Sequence, residues 1–173
     1  MPVQKNNLLL TKDSKEEFRQ MIIRTTDAIV DSLCDTKAYA GLSPDELKKA
    51  VHVEDLLPNE GEGFDKVLEA LKLQVLPNFL RTSSTDYMAH LHSPALLESI
   101  AAELIIAAFN QSMDSWDQAP VATEVELEVI RKLCSLYGYD DNSDGVFTSG
   151  GSQSNISALL FARDWYWQKT LIV

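Results

Sequence analysis

The stretch Gly145-Val146-Phe147-Thr148-Ser149-Gly150-Gly151-Ser152-Gln153-Ser154-Asn155 has the residue types and order best suited to chemistry in this 173-residue chain. Val146 and Phe147 favour a strand, and Gly150-Gly151 permit a turn that a side chain would block. Ser152, Ser154 and Asn155 offer capping oxygens for a helix running on through Ile156, Leu159, Leu160 and Ala162. A strand that stops on two glycines and restarts as a helix aims free backbone N–H groups and the positive end of a helix dipole at one point. That suits a phosphate. The same pattern also serves an ordinary strand-to-helix connection, and geometry alone leaves both readings open. The segment lacks the Lys-Ser/Thr ending of a P-loop, and its glycines do not keep the dinucleotide spacing, so a nucleoside triphosphate is not favoured.

Two further groups of residues have chemical potential. His90-Leu91-His92 places two imidazoles on one side of an extended segment, but no nearby cysteine or carboxylate completes a metal ligand set. The histidines are then either pocket-lining hydrogen-bonders or ordinary satisfied side chains. Asn110-Gln111-Ser112-Met113-Asp114-Ser115-Trp116-Asp117-Gln118 is polar between two apolar helices. It reads as a solvated loop or, with two carboxylates around a tryptophan, as a pocket wall for a cationic group. The serines show no Ser-His-Asp ordering that would support a hydrolase triad.

The elements that must position these residues are mostly helical. Residues 1–13 lack periodicity and read as a poorly ordered lead-in. Ser14 with Glu17 resembles a capping box, after which Phe18, Met21, Ile22, Thr25, Ile29 and Leu33 share a helical face. Gly41 closes that unit, and Ser43-Pro44-Asp45-Glu46 starts a short helix with serine as cap and proline in the first turn. His52 to Gly63 is a surface loop. Phe64, Val67, Leu68, Leu71, Val75 and Leu76 make another stripe, which Pro77 bends or ends, and Arg81 to Asp86 is polar and non-helical. Ser93-Pro94 opens a helix whose apolar face, from Leu96 to Phe109, is so wide that it should be mostly buried. A further helix runs from Pro120, with Val121, Val125, Val129, Ile130, Leu133, Cys134 and Tyr137 on its inner side. A single strand over 145–149 has no ladder partner, and Leu171-Ile172-Val173 reads as the start of a second strand. This plan suits the first part of a larger α/β domain.

Composition narrows the function classes. Forty-five per cent apolar residues support a globular fold. Fifteen basic against 26 acidic residues give a net charge of −11, which argues against nucleic acid and anionic membrane surfaces as partners. The longest apolar run, Ile100 to Phe109, is broken by Glu103 and falls short of the roughly 20 residues a membrane span needs. Cys34 and Cys134 sit in amphipathic helical patterns as small core residues. No secretory segment is read at the start, so a reduced, cytoplasmic protein is expected.

Three motifs, taken in order and spacing, carry a resemblance over roughly residues 14–170. They are Tyr87-Met88-Ala89-His90-Leu91-His92-Ser93-Pro94, then Asn110 to Gln118, then Asp144 to Asn155 followed by Ala162-Arg163-Asp164-Trp165. Together they resemble the group II pyridoxal-phosphate-dependent decarboxylases, which include enzymes for glutamate, aromatic amino acids and L-2,4-diaminobutyrate; the 110–118 stretch is most similar to the diaminobutyrate branch. The resemblance implies an α/β protein of the PLP-dependent transferase fold type I, the aspartate aminotransferase-like fold. This chain would hold its mostly helical N-terminal part and the first strand of the large domain. Residues 1–85 would then be an N-terminal helical segment wrapped on a partner subunit, and residues 86–173 the start of the large cofactor-binding domain.

The resemblance also implies roles. Gly151 and Ser152, beside Gly150, match positions that hold the phosphate of pyridoxal 5'-phosphate. His90, Leu91, His92 and Ser93 match the substrate side of the pocket, and 112–116 match a segment reaching the neighbouring subunit's site, so that Asp114 would meet the distal ammonium of a diamino acid. The implied protein is an obligate dimer that decarboxylates an amino acid, with L-2,4-diaminobutyrate to 1,3-diaminopropane as first expectation and glutamate or an aromatic amino acid as alternatives. Ser84-Thr85 departs from the family's usual His-Pro. The Schiff-base lysine and its aspartate and histidine companions match no position here, since Lys169 follows the phosphate loop too soon. The chain therefore reads as the N-terminal third of such an enzyme, with no catalytic residue of its own. A non-catalytic fragment of the same fold, or a free-standing helical interaction module, remains as a rival.

Overall fold

The computed structural model describes residues 9–33, 37–55 and 57–171. Cys34, Ile172 and Val173, on which expectations of a core thiol and a second strand rest, lie outside the described residues, as does the lead-in before Leu9. The chain divides into two compact units, residues 1–108 and 109–173.

In the first unit α1 spans Lys15–Ser32, α2 Pro44–Ala50 and α3 Phe64–Ala70. The chain then continues through a π-helical turn, Leu71–Val75, and a 3-10 turn, Leu76–Asn78. The expected break at Pro77 thus takes the form of a helix that loosens and then tightens before it stops. The Arg24 guanidinium ties α1 to α3, lying 5.1 Å above the Phe64 ring and donating to Asp65 at 2.5 Å. Helix α4, Leu97–Phe109, begins later than Ser93-Pro94 suggests. Residues 93–96 stay non-helical, and the Leu96 carbonyl accepts the first bonds, from the Ile100 N–H and the Ser99 hydroxyl.

Two serines show how local chemistry decides a helix start. Ser14 does not form the expected box with Glu17. Its hydroxyl donates to the Leu9 carbonyl and accepts from the Thr11 N–H, both at 2.8 Å, so the side chain is spent on the lead-in and is buried there. Ser43 forms a complete box, accepting from the Glu46 N–H while its own N–H donates to the Glu46 carboxylate at 2.7 Å. The Ser43 hydroxyl, and then its backbone N–H, hold the Glu46 carboxyl below the usual glutamate range. Because the folded value is the lower one, this contribution is present above the ordinary glutamate pKa and is lost as pH falls through the lowered one. NMR titration should give Glu46 a midpoint below that of an unpaired glutamate, and Ser43→Ala should raise it. An ordinary midpoint before the substitution would contradict the box.

The second unit contains a 3-10 turn, Trp116–Gln118, then α5, Pro120–Leu136, and α6, Gly151–Leu171. The stretch 145–148 runs beside α5. A Cβ on Gly145 would sit 3.4 Å from the buried Ile130, and Val146 and Phe147 share a small cavity with Leu133, Cys134 and Tyr137. No strand is formed over 145–149, because a strand is defined by its ladder and the described residues supply no partner. Leu171, expected at the start of a second strand, is instead the last residue of α6.

The expectation that α4 is mostly buried also fails within this chain: none of its residues is buried, and Leu97 and Phe109 are largely exposed. Among the described residues the buried apolar side chains are Ala28, Leu68, Ala119 and Ile130. The accessible surface is 15561 Å². Two separate compact units of this combined size would expose only roughly 10,000 Å². Much of the excess is apolar side-chain surface on α4 and α6, which stays exposed within this chain.

Candidate functional site

Helix α6 starts at Gly151, two residues earlier than Ser152 as a cap would place it, so Ser152, Ser154 and Asn155 fall within its first turns. Among the described residues no acceptor caps the N–H groups of Gly151, Ser152 and Gln153; the first intrahelical bond is Ser154 N–H to the Gly150 carbonyl at 3.0 Å. A Cβ on Gly150 or Gly151 would meet no atom within 4 Å, so the approach to these amides is open. The three amides and the helix dipole act together on one point, which fits a dianionic phosphate ester. Two residues that the sequence reading passed over order this loop. Thr148 Oγ1 donates to the Gly150 carbonyl at 3.1 Å, and Gln153 Oε1 accepts from Ser149 N–H at 3.1 Å and from its hydroxyl at 2.5 Å. The Ser149–Gln153 spacing of four residues, one helical turn, was the available signal for the second of these.

His90 to Ser93 lie in the first unit and are only partly brought together. His90 adopts left-handed backbone, φ 64°, which for a non-glycine residue marks a strained turn. The expected extended segment with both imidazoles on one side is therefore absent. His92 packs edge-on against Tyr87, ring centroids 6.4 Å apart. His92 and Ser93, with Arg81, Phe79 and Leu96, line an open cavity of about 870 Å³, whereas His90 and Leu91 do not line it. Leu91 is fully exposed.

Asp114 lies in the second unit, in the loop that Asn110 opens with a left-handed residue, φ 44°, at the end of α4. The neighbouring polar groups are already paired. Ser115 Oγ donates to Asp117 at 2.7 Å, Gln118 donates to Ser115 at 3.0 Å, and Trp116 Nε1 donates to Glu124 at 3.0 Å. Asp114 is exposed and has no hydrogen bond or ion pair with a described residue. It caps no helix; Asp117 is the carboxylate tied into the turn.

Lys169 stands over the Trp165 ring at 3.9 Å. Eighteen residues along α6 from Gly151, it is about 27 Å from the helix start along the axis. No extended lysine side chain spans that distance to a small ligand held at the amides.

This arrangement of helices and loop has counterparts in solved structures. The crystal structure described as the glutamate decarboxylase domain of diaminobutyrate-pyruvate transaminase and L-2,4-diaminobutyrate decarboxylase from Vibrio parahaemolyticus superposes with a TM-score of 0.84 at 41% identity, over 93% of this chain and 35% of that one. Oryza sativa TDC, solved with PLP, shares the fold at a TM-score of 0.63 and 20% identity, over 82% and 29% of the two chains. The fold is thus the helical N-terminal part of the PLP-dependent decarboxylase architecture, fold type I. Residues 44–171 match the pyridoxal-dependent decarboxylase conserved domain, and the chain belongs to that family. An L-2,4-diaminobutyrate decarboxylase of Acinetobacter baumannii is 36% identical over 159 residues, 91% of this chain and 31% of the relative. The chain spans about a third of the length of the relatives it matches. Among the described residues no helix is long and apolar enough to cross a membrane.

Proposed function

We propose that this chain supplies the phosphate end of the cofactor site, and part of the substrate wall, of a pyridoxal-phosphate-dependent amino acid decarboxylase acting on L-2,4-diaminobutyrate. The observation that carries the reading is the first turn of α6, three uncapped amides behind two open glycines, at the positions to which the resemblance assigns the cofactor phosphate. Gly150, Gly151 and Ser152 bind and orient the phosphate. When bound, the cofactor supplies a ring able to hold the electron pair released as CO2 leaves. His90, Leu91, His92 and Ser93 form the substrate side, and the strained His90 turn is the part of that wall whose geometry costs energy to maintain. Residues 86–173 belong to the large domain. The protein is a cytoplasmic homodimer in which residues 112–116 reach the partner's pocket, and Asp114, without a partner among the described residues, accepts the distal ammonium of the substrate. The relatives named for diaminobutyrate support this choice of substrate.

The complete protein loaded with cofactor should show its highest kcat/KM for L-2,4-diaminobutyrate in a panel that includes glutamate, tyrosine and cysteine sulfinate. A higher value for a monoamino acid would overturn the substrate assignment while leaving the decarboxylase reading in place. Because Lys169 stands so far from the loop, the 173-residue chain by itself should release no CO2 from any amino acid above the background of free cofactor. Release above that background would contradict the assignment of the covalent anchor to another part of the protein.

A further inference from the structure

We infer that Thr148, Ser154 and Gln153 are positioning residues that set the direction of the phosphate-facing amides. This rests on the phosphate reading above.

The Gly150 carbonyl is the centre of the device. It accepts from Ser154 N–H at 3.0 Å, from Thr148 Oγ1 at 3.1 Å and from Ser154 Oγ at 3.3 Å. The two hydroxyls are 2.6 Å apart, so two hydroxyl protons are distributed over three contacts and the group moves as one. On the other side of the loop, Gln153 Oε1 takes both the Ser149 N–H and the Ser149 hydroxyl. These bonds fasten residues 148–150 to the first turn of α6 from two sides.

None of them uses the N–H of Gly151, Ser152 or Gln153, which stay available to a ligand. Without the clamp, two adjacent glycines would be the most conformationally free part of the loop, and a phosphate would have to order them as it bound. With it, the amides are set before the ligand arrives, and binding loses less freedom. Thr148, Ser154 and Gln153 thus act on the phosphate through the Gly150 carbonyl and the Ser149 backbone without touching it.

The test uses the complete protein stripped of cofactor, and compares its affinity for pyridoxal 5'-phosphate with that for pyridoxal, which has no phosphate. Thr148→Val and Ser154→Ala should each weaken pyridoxal 5'-phosphate binding roughly fivefold, the scale of one lost hydrogen bond, and the double variant should do so by less than the product because the two share one carbonyl. Gln153→Leu should act in the same direction. Pyridoxal binding should stay at the wild-type value in all of them, and Thr148→Ser should restore phosphate affinity. Equal losses for both ligands would show a general effect on the fold and overturn the inference. Gly151→Val separates the two levels. If it alone discriminates between the ligands while the clamp variants do not, positioning is wrong and the phosphate reading stands. If it affects both ligands alike, or neither, the phosphate reading itself is wrong.

Discussion

Gly151→Val in the complete protein should release the cofactor. A valine side chain would fill the space that is open before the amides of Gly151, Ser152 and Gln153, and would hold the phosphate away from all three. Charge-assisted hydrogen bonds from backbone N–H to a phosphate are among the stronger polar contacts, so losing them together should weaken cofactor binding by on the order of a hundredfold. The loop has no packing neighbour within 4 Å of that position, so the substitution meets no steric obstacle within the chain and the fold should survive it. Dialysis followed by absorbance of the retained cofactor gives the result directly. Full retention after dialysis would mean that the phosphate binds elsewhere.

The second large effect concerns Asp114. Burying the second ammonium of a diamino acid without a partner is costly, and an exposed carboxylate with no partner among the described residues is the group suited to meet it. Asp114→Asn keeps the shape and removes the charge. KM for L-2,4-diaminobutyrate should rise between about tenfold and a hundredfold, the range for losing one partner of a buried charge pair, with little change for a neutral amino acid. Equal changes for both substrates would make the residue structural and remove the main physical support for a diamino substrate. Ser115 and Asp117, which are bonded to each other, provide the control, since removing Asp117 should alter the turn and affect all substrates.

Much of the helical plan is legible in local sequence, for reasons the structure makes concrete. Helix α2 follows from Ser43 and Pro44 because cap and first turn are built from neighbours only. Pro77 falls in the 3-10 turn, Leu76–Asn78, on which the helical run from Phe64 finally stops, because a missing N–H and a fixed φ act on the adjacent turn. The start of α6 is nearly right for the same reason. What failed depends on partners distant in sequence or on competition between equal donors. Ser14 had two uses, and the carbonyl of Leu9 took its hydroxyl. The strand over 145–149 and the burial of α4 both presuppose chain segments that the described residues do not contain, so their sequence signals are tertiary and remain unsatisfied here. His90 shows a third kind of failure: histidine visits left-handed backbone more often than most residues, but that weak preference singles out no one position, so the turn at φ 64° could not be read in advance. Gly150, Gly151 and Ser152 were legible because glycines before a helix have a short-range geometric consequence, whereas Asp114 stood out only through the resemblance.

The most direct measurement is carbon dioxide release by the complete protein, purified, stripped of cofactor and assayed with L-2,4-diaminobutyrate before and after pyridoxal 5'-phosphate is restored. The expected result is no release before and, after, CO2 and 1,3-diaminopropane in equal amounts. Release without cofactor, or none from any amino acid once cofactor is bound, would contradict a pyridoxal-phosphate-dependent decarboxylase.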